Sequence, residues 1–262
     1  MHQQSLFLDI GSKRLKTLII GELDTNKPSI VLLHGGLDSL KTWKGYPEAL
    51  AKKTGLTVIA YERFGHGESG CLNEVRKADY RHLEANETLP AIINKLGLNK
   101  IILVGHSDGA AMSLLAAESH QLNILGVCAI APPLVPEEMV RTGIAEAIKQ
   151  YENGNLAKKL TLFHGDATDA LFYGWANAWL STEFDDWSCV EEIRTIRCPV
   201  HAIFGQADDY GYRASMSILT NNLSAPLELL VLKGIGHMPH HHARQETIDS
   251  INRLIKRTAA DE

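Results

Sequence analysis

The chain has 262 residues, 45% of them hydrophobic and 22% charged, and 26 Lys and Arg against 31 Asp and Glu leave a net charge of −5. A chain this long buries roughly 70–75% of its unfolded surface, so it needs no disulfide or metal staple to fold. Its acidic balance argues against a phosphate-neutralising surface and nucleic acid, and no apolar run reaches the roughly 18–20 residues that cross a bilayer, so no membrane partner is expected.

The first twenty residues alternate as two strands around a turn at Gly11. Short, continuously apolar, β-branched runs follow at 29–33, 56–60, 100–104 and 124–130. Continuous rather than alternating patterning predicts strands covered on both faces, as in a parallel sheet. Residues 47–53 and 81–96 carry helical spacing, and Ala110, Ala111, Leu114 and Leu115 form a helical stripe. Strand and helix alternate, so the class is α/β with crossover connections. The rhythm breaks after Ile130, and the next strand-like run is 200–204. The stretch between is too long for a structureless loop. Ile144, Ala147, Ile148 and Tyr151 give one helical stripe there, and Ala170, Leu171, Trp175, Ala178 and Trp179 another. The alternation resumes with a strand at 227–232 and a final helix from about 243 to 255. The predicted organisation is a mostly parallel, twisted sheet flanked by helices over 1–131 and 188–262, with a helical insertion at 132–187.

The sharpest motif is Gly105-His106-Ser107-Asp108-Gly109, set between the run ending at Val104 and the stripe starting at Ala110. G-x-S-x-G between a strand and a helix is a nucleophile elbow, in which the glycines give a strained serine the room it needs. A serine hydroxyl is a weak nucleophile and requires a base oriented by a third group. Asp208 and Asp209 follow the 200–204 strand, and His237 follows the 227–232 strand. Each candidate lies just past the carboxyl end of a predicted strand, where open α/β sheets build their sites. The order Ser107, acid, His237 is that of the elbow enzymes.

Five segments in order, His34-Gly35-Gly36, residues 61–69, the serine elbow, Gly205 to Asp208, and Gly236-His237, make the chain resemble the α/β-hydrolase family over nearly its whole length. The resemblance implies Asp208 rather than Asp209 as the triad acid. It implies an oxyanion hole from the backbone N–H groups of Gly36 and Asp108, with His34 tying loops together. It also makes the insertion a cap above the site. Leu37, Trp175 and Trp179 are candidate substrate-binding residues, since apolar pockets need aromatic and aliphatic walls. His164, Asp166 and Asp169 are candidates for polar selectivity in the cap.

Asp108 carries two readings. A carboxylate beside the nucleophile resembles hydrolases of amino-acid esters, where it would pair with a substrate ammonium. The plainer expectation is a hydrogen bond to loop backbone. Two further patterns are weaker. Gly65 to Gly70 formally matches G-x-G-x-x-G, but no apolar helix opens after it, so it reads as a compact turn in which Glu62 and Arg63 hold neighbouring loops. His240-His241-His242, with His237, lacks an acidic or cysteine ligand, so solvated histidines at a helix start are expected and no metal.

The resulting expectation is a serine hydrolase that cleaves a small ester-like substrate through an acyl-enzyme, with no cofactor. Amino-acid ester, lactone and C–C bond hydrolysis remain open on the same triad, as does a non-catalytic small-molecule-binding protein of the same fold. The N-terminus lacks signal-peptide order and Cys71, Cys128, Cys189 and Cys198 lack C-x-x-C spacing, so a cytoplasmic protein with reduced thiols is expected. The sequence carries no sign of oligomeric state.

Overall fold

The computed structural model describes residues 2–70, 76–185 and 187–260. Strands β1 (Gln3–Ile10), β2 (Lys13–Ile20), β3 (Ser29–Leu33), β4 (Thr57–Tyr61), β5 (Ile101–His106), β6 (Ile124–Ile130), β7 (Val200–Gly205) and β8 (Leu227–Leu232) form one sheet in the order β1-β2-β4-β3-β5-β6-β7-β8. The β1–β2 and β2–β4 pairs are antiparallel. The pairs from β4 through β8 are parallel. The expected mostly parallel sheet flanked by helices is therefore the observed architecture.

Every residue of β3, β5 and β7 is buried, which is why these runs are continuously apolar. Their side chains still alternate between faces. Val31, Leu33, Leu103 and Phe204 pack on one side with α3 (Leu89–Leu96), α4 (Asp108–Glu118), α8 (Val190–Thr195) and α9 (Arg213–Asn222). Ile30, Leu32, Val104 and Ile203 pack on the other with α1 (Tyr46–Thr54) and α11 (Arg244–Ala260). No helix among the described residues is long and apolar enough to cross a membrane.

The single helix expected over 81–96 is divided. Helix α2 (Tyr80–Leu83) leads into one wide π turn at Glu84–Thr88 before α3 begins. Pro90 lies in the first turn of α3 and has no N–H to continue the upstream ladder. Between β6 and β7 lie α5 (Glu138–Asn153), α6 (Leu156–His164), α7 (Thr168–Leu180) and the short α8. Helices α5 to α7 build their own apolar cluster around Ile144, Tyr151, Phe172, Trp175 and Trp179, with Leu37 and Tyr210 packed against it.

Strand β3 lies between β4 and β5, so successive parallel strands run off to opposite sides of it. Such a switch point opens a crevice at the carboxyl ends of β3 and β5. The His34–Asp38 loop and Ser107 leave the sheet there.

Candidate active site

Ser107 joins β5 to α4 with φ 53° and ψ −120°, a positive φ unusual outside glycine. The turn is held by Ser107 N–H donating to Ile130 O at 2.8 Å, and by Ala110 and Ala111 N–H donating to Ser107 O at 2.9 and 3.2 Å. The flanking glycines are forced by close approach. A Cβ on Gly105 would sit 2.2 Å from Gly109 O, and one on Gly109 would sit 2.1 Å from Leu33 O. Neither neighbour is a side chain that could turn aside.

Two loops meet the serine. A Cβ on Gly205 would lie 2.1 Å from Gly236 O, so the glycine at the end of β7 lets the loop after β8 cross directly over the loop after β7. That crossing brings His237 and Asp208 together. Ser107 Oγ–H donates to His237 Nε2 at 3.0 Å, and His237 Nδ1–H donates to Asp208 Oδ2 at 2.8 Å. Asp208 is buried and its other oxygen accepts from Tyr210 N–H at 2.9 Å, whereas Asp209 is exposed.

The loop after β3 is fixed by its carbonyls. Arg63 Nη2–H donates to Gly35 O at 2.6 Å, His34 Nδ1–H to the same oxygen at 2.9 Å, and His66 Nε2–H to Gly36 O at 3.0 Å. His34 Nε2 accepts from Arg63 N–H at 3.0 Å, so His34 is a loop tie. Burial first, then the Arg63 charge, pushes its pKa well down. Glu62 accepts from Leu40 and Glu68 N–H at 3.0 and 2.6 Å, and Gly65 to Gly70 closes on itself as a turn. The polar stretch after it, from Cys71, lies in part outside the described residues.

Gly36, Leu37, Ser107, Asp108, Trp175, Trp179 and His237 line one cavity of about 130 Å³, with Asp38, His106, Pro133, Val140 and Tyr210. Leu37 and the two tryptophans thus line the same cavity as Ser107. His164, Asp166 and Asp169 do not reach it. His164 bridges Gly67 N–H and Leu37 O at 2.9 and 3.0 Å, and the two aspartates are exposed.

The Asp108 side chain departs from the plainer expectation, since it makes no bond to loop backbone. Arg81 donates to Oδ1 through Nε at 3.1 Å and through Nη2, and Tyr80 Oη–H donates to Oδ2 at 2.7 Å. Both charged side chains are buried. Burial raises the Asp108 carboxyl, and the Arg81 charge leads the effects that bring it below the usual carboxylate value. The guanidinium in turn lies between the rings of Trp179 and Trp187, at 4.3 and 4.5 Å.

Sequence reasoning missed Arg81, Tyr80, Asp38 and Tyr210. Arg81 and Tyr80 sit in a segment legible only as helical spacing. Tyr210 stood two residues from the chosen acid, and Asp38 four residues from His34, with no pattern to mark them. The histidine run also needs correcting. His240 is buried, with its ring 5.1 Å from Trp43 and 4.4 Å from His106, His241 is half-buried, and only His242 of the three is exposed. Pro239 starts a short helix, α10 (Pro239–His242), that turns His240 inward. Among the described residues no three His, Cys, Asp or Glu side chains converge on a metal position. Cys128, Cys189 and Cys198 carry free thiols, and Cys71 lies outside the described residues.

Residues 30–250 match the family described as "Alpha/beta hydrolase family". The chain is 26% identical over 172 residues to a proline iminopeptidase of Lactobacillus delbrueckii subsp. bulgaricus, covering 66% of this chain and 58% of that protein. It is 35% identical over 101 residues to a proline iminopeptidase of Lactobacillus helveticus, covering 37% and 32%. The matched part thus spans under two thirds of these relatives' length. Among solved structures, the proline iminopeptidase of Mycobacterium smegmatis superposes with TM-score 0.72 at 18% identity, covering 99% of this chain and all of that one. Naproxen esterase from Bacillus subtilis superposes with TM-score 0.73 at 17% identity, covering 97% and 92%. At such identities the likeness is one of fold.

Proposed function

The chain belongs to the alpha/beta hydrolase family, and we propose that it is a serine hydrolase cleaving small, uncharged esters through an acyl-enzyme. The observation that carries this reading is the Ser107–His237–Asp208 relay, 3.0 and 2.8 Å long, opening into a walled cavity. Ser107 Oγ attacks the ester carbonyl carbon while its proton passes to His237 Nε2. Asp208 holds the ring with Nδ1–H toward it and stabilises the imidazolium. The carbonyl oxygen, now an oxyanion, rests on the N–H groups of Gly36 and Asp108. In a trans peptide the N–H points opposite to the C=O. Gly35 O is turned to Arg63 and His34, so Gly36 N–H is turned away from them. Asp108 opens α4, where backbone N–H groups are free and the helix dipole favours negative charge. Collapse expels the alcohol, which takes the proton from His237. Water then attacks the acyl carbon, giving its proton to the same nitrogen, and the second collapse frees the acid and returns the proton to Ser107.

The helices α5 to α7 act as the cap, supplying Val140, Trp175 and Trp179 to the cavity wall. Its volume of about 130 Å³ suits a short acyl group, since a cavity of about 150 Å³ holds one benzene. The iminopeptidase relatives prompt the competing reading, a substrate with a charged amine. Of the two wall carboxylates besides the triad, Asp108 accepts on both oxygens from Arg81 and Tyr80, and Asp38 Oδ2 meets His106 and Gly35 N–H. The carboxylate next to the nucleophile is thus already paired with a buried guanidinium, which favours uncharged acyl groups.

The test is a p-nitrophenyl ester series from acetate to decanoate, with glycine and proline esters, lactones and a proline anilide alongside. Activity should peak at short acyl chains and vanish in Ser107→Ala, and a fluorophosphonate should label Ser107. A wild-type protein that neither hydrolyses the esters nor takes the label sinks the reading.

A further inference from the structure

His106, the residue before the nucleophile, has no role in the scheme above, yet it touches both halves of the site. Its ring is buried and places each nitrogen within hydrogen-bond distance of an acceptor. Nδ1 lies 3.1 Å from Asp38 Oδ2, and Nε2 lies 2.9 Å from the backbone carbonyl oxygen of His237. The same Asp38 oxygen accepts from Gly35 N–H at 3.1 Å. Hydrogen bonds therefore run from the loop after β3, through Asp38 and His106, to the backbone of the residue that serves as base. The loop packs directly on this pair. A Cβ on Gly35 would lie 2.5 Å from Asp38 Oδ2 and 3.0 Å from His106 Nδ1. Burial alone would raise the Asp38 carboxyl, and the hydrogen bond and charge of His106 lead the effects that hold it well below the usual range.

We propose that His106 and Asp38 form a positioning bridge that holds the oxyanion loop and the His237 loop in register around Ser107. It rests on the serine-hydrolase reading. Neither residue exchanges a proton with substrate. Asp38 fixes the start of the Gly35–Gly36 turn, and His106 fixes the main chain that carries the imidazole. The two loops follow β3, in the middle of the sheet, and β8, at its edge, with three strands between them. The elbow between them is the place where one side chain can reach both. Misplacing reacting groups by about 1 Å can lower a rate on the order of 100-fold, so a bridge of this kind should show in kcat more than in KM.

The experiment compares wild type with His106→Gln, His106→Asn, Asp38→Asn and the His106→Gln/Asp38→Asn double variant. Gln can keep the donor toward His237 O, Asn the donor toward Asp38, and Asp38→Asn is nearly isosteric should the His106 variants fold poorly. Readouts are kcat for p-nitrophenyl acetate per site titrated with fluorophosphonate, KM, and the Ki of phenylboronic acid, which forms a tetrahedral adduct with a serine. Each single variant should lose about 30- to 100-fold in kcat per titrated site, with KM within about threefold and the boronate Ki raised in parallel. The double variant should be no worse than about threefold below the weaker single, because residues acting as one unit are not additive. A merely structural role would lower the titratable fraction or Tm and leave kcat per site and boronate affinity unchanged, and that result overturns the proposal. Ser107→Ala keeps the two claims apart. If it stays active, the serine-hydrolase reading fails; if it is inactive while the bridge variants keep wild-type kcat, the bridge alone fails.

Discussion

Replacing Arg81 with Met keeps much of the apolar stem between Trp179 and Trp187 and removes the guanidinium from Asp108. Arg81 and Asp108 are 0% and 1% exposed, so no solvent is at hand to replace the lost partner. Removing one member of such a pair costs about 3–5 kcal/mol, because the remaining charge stays buried. Losing the cation between two indole rings adds about 1–2 kcal/mol. The sum of about 4–7 kcal/mol is a large part of the 5–15 kcal/mol that holds a typical domain together. The penalty has a pH signature. In the wild type Asp108 lies below its unfolded value, so its contribution is present above about pH 3.9 and is lost as pH falls through the lower folded pKa. Without Arg81 burial dominates and the folded pKa rises above the unfolded one. The destabilisation is then full above the raised pKa and fades as pH falls toward about 3.9. Urea unfolding followed by tryptophan fluorescence at pH 8 and pH 5 reads both effects. Arg81→Met should be less destabilised at pH 5, and Arg81→Met/Asp108→Asn should recover about 2–3 kcal/mol at pH 8 by leaving no lone charge. A loss below about 1 kcal/mol at pH 8, or a double variant no more stable than the single, would refute the reasoning.

Asp208→Asn should lower ester kcat by about 10⁴-fold by allowing the wrong imidazole tautomer, whereas Asp209→Asn should leave kcat within about twofold; the reverse order in a steady-state assay would move the acid to Asp209. Gly109→Ala drives a Cβ to 2.1 Å from Leu33 O. It should therefore yield insoluble protein or a loss of about 3 kcal/mol or more in urea unfolding, and a wild-type midpoint would contradict the close approach. Tyr80→Phe removes one of the donors to Asp108 and should cost about 1–2 kcal/mol, measured by the same unfolding. Burial leads the effects that push His34, His66 and His240 well below their ordinary value. The unfolded chain therefore binds more protons below about pH 6.5, and folding free energy should fall on acidification by up to about 4 kcal/mol per pH unit for three sites. His240→Phe should flatten that slope by about a third, and an unchanged slope would place the lost protons elsewhere.

Local patterns made much of the architecture legible. The all-buried strands β3, β5 and β7 carry no alternation to hide them, and each ends in a glycine or a loop that close approach explains. Gly105, Gly109 and Gly205 are written in the sequence because backbone passes within van der Waals range of each. A serine between such glycines is recognisable for the same physical reason that it is strained. The division of 81–96 by a π turn was hidden because Pro90 is compatible with a first helical turn and with a kink alike. The partners of Asp108 were not legible at all. Arg81 is 27 residues from Asp108 in sequence, and its neighbours Trp179 and Trp187 come from a different part of the chain. Nothing local distinguishes that arginine from one on a solvated helix face. His240 was misread for a related reason, since a run of three histidines looks uniformly polar while the helix after Pro239 turns only one of them into the core.

These hidden contacts bear on selectivity more than on bond cleavage. The relay through His237 needs a serine, a histidine and a carboxylate, and strand ends supply them in order. What enters the cavity depends on how its remaining charges are settled. Arg81 settles one of them from below while its guanidinium packs against two indoles of the helical segment above, so the charge beside the nucleophile and the position of Trp179 are parts of one contact. On the proposed function, a change in Trp179 that admits a larger acyl group should also loosen the cation that pairs with Asp108. On the same reading, pocket size and tolerance of a positively charged substrate should therefore change together. Val140→Ala, again on the proposed function, should enlarge the cavity while leaving the Arg81–Trp179 stack in place.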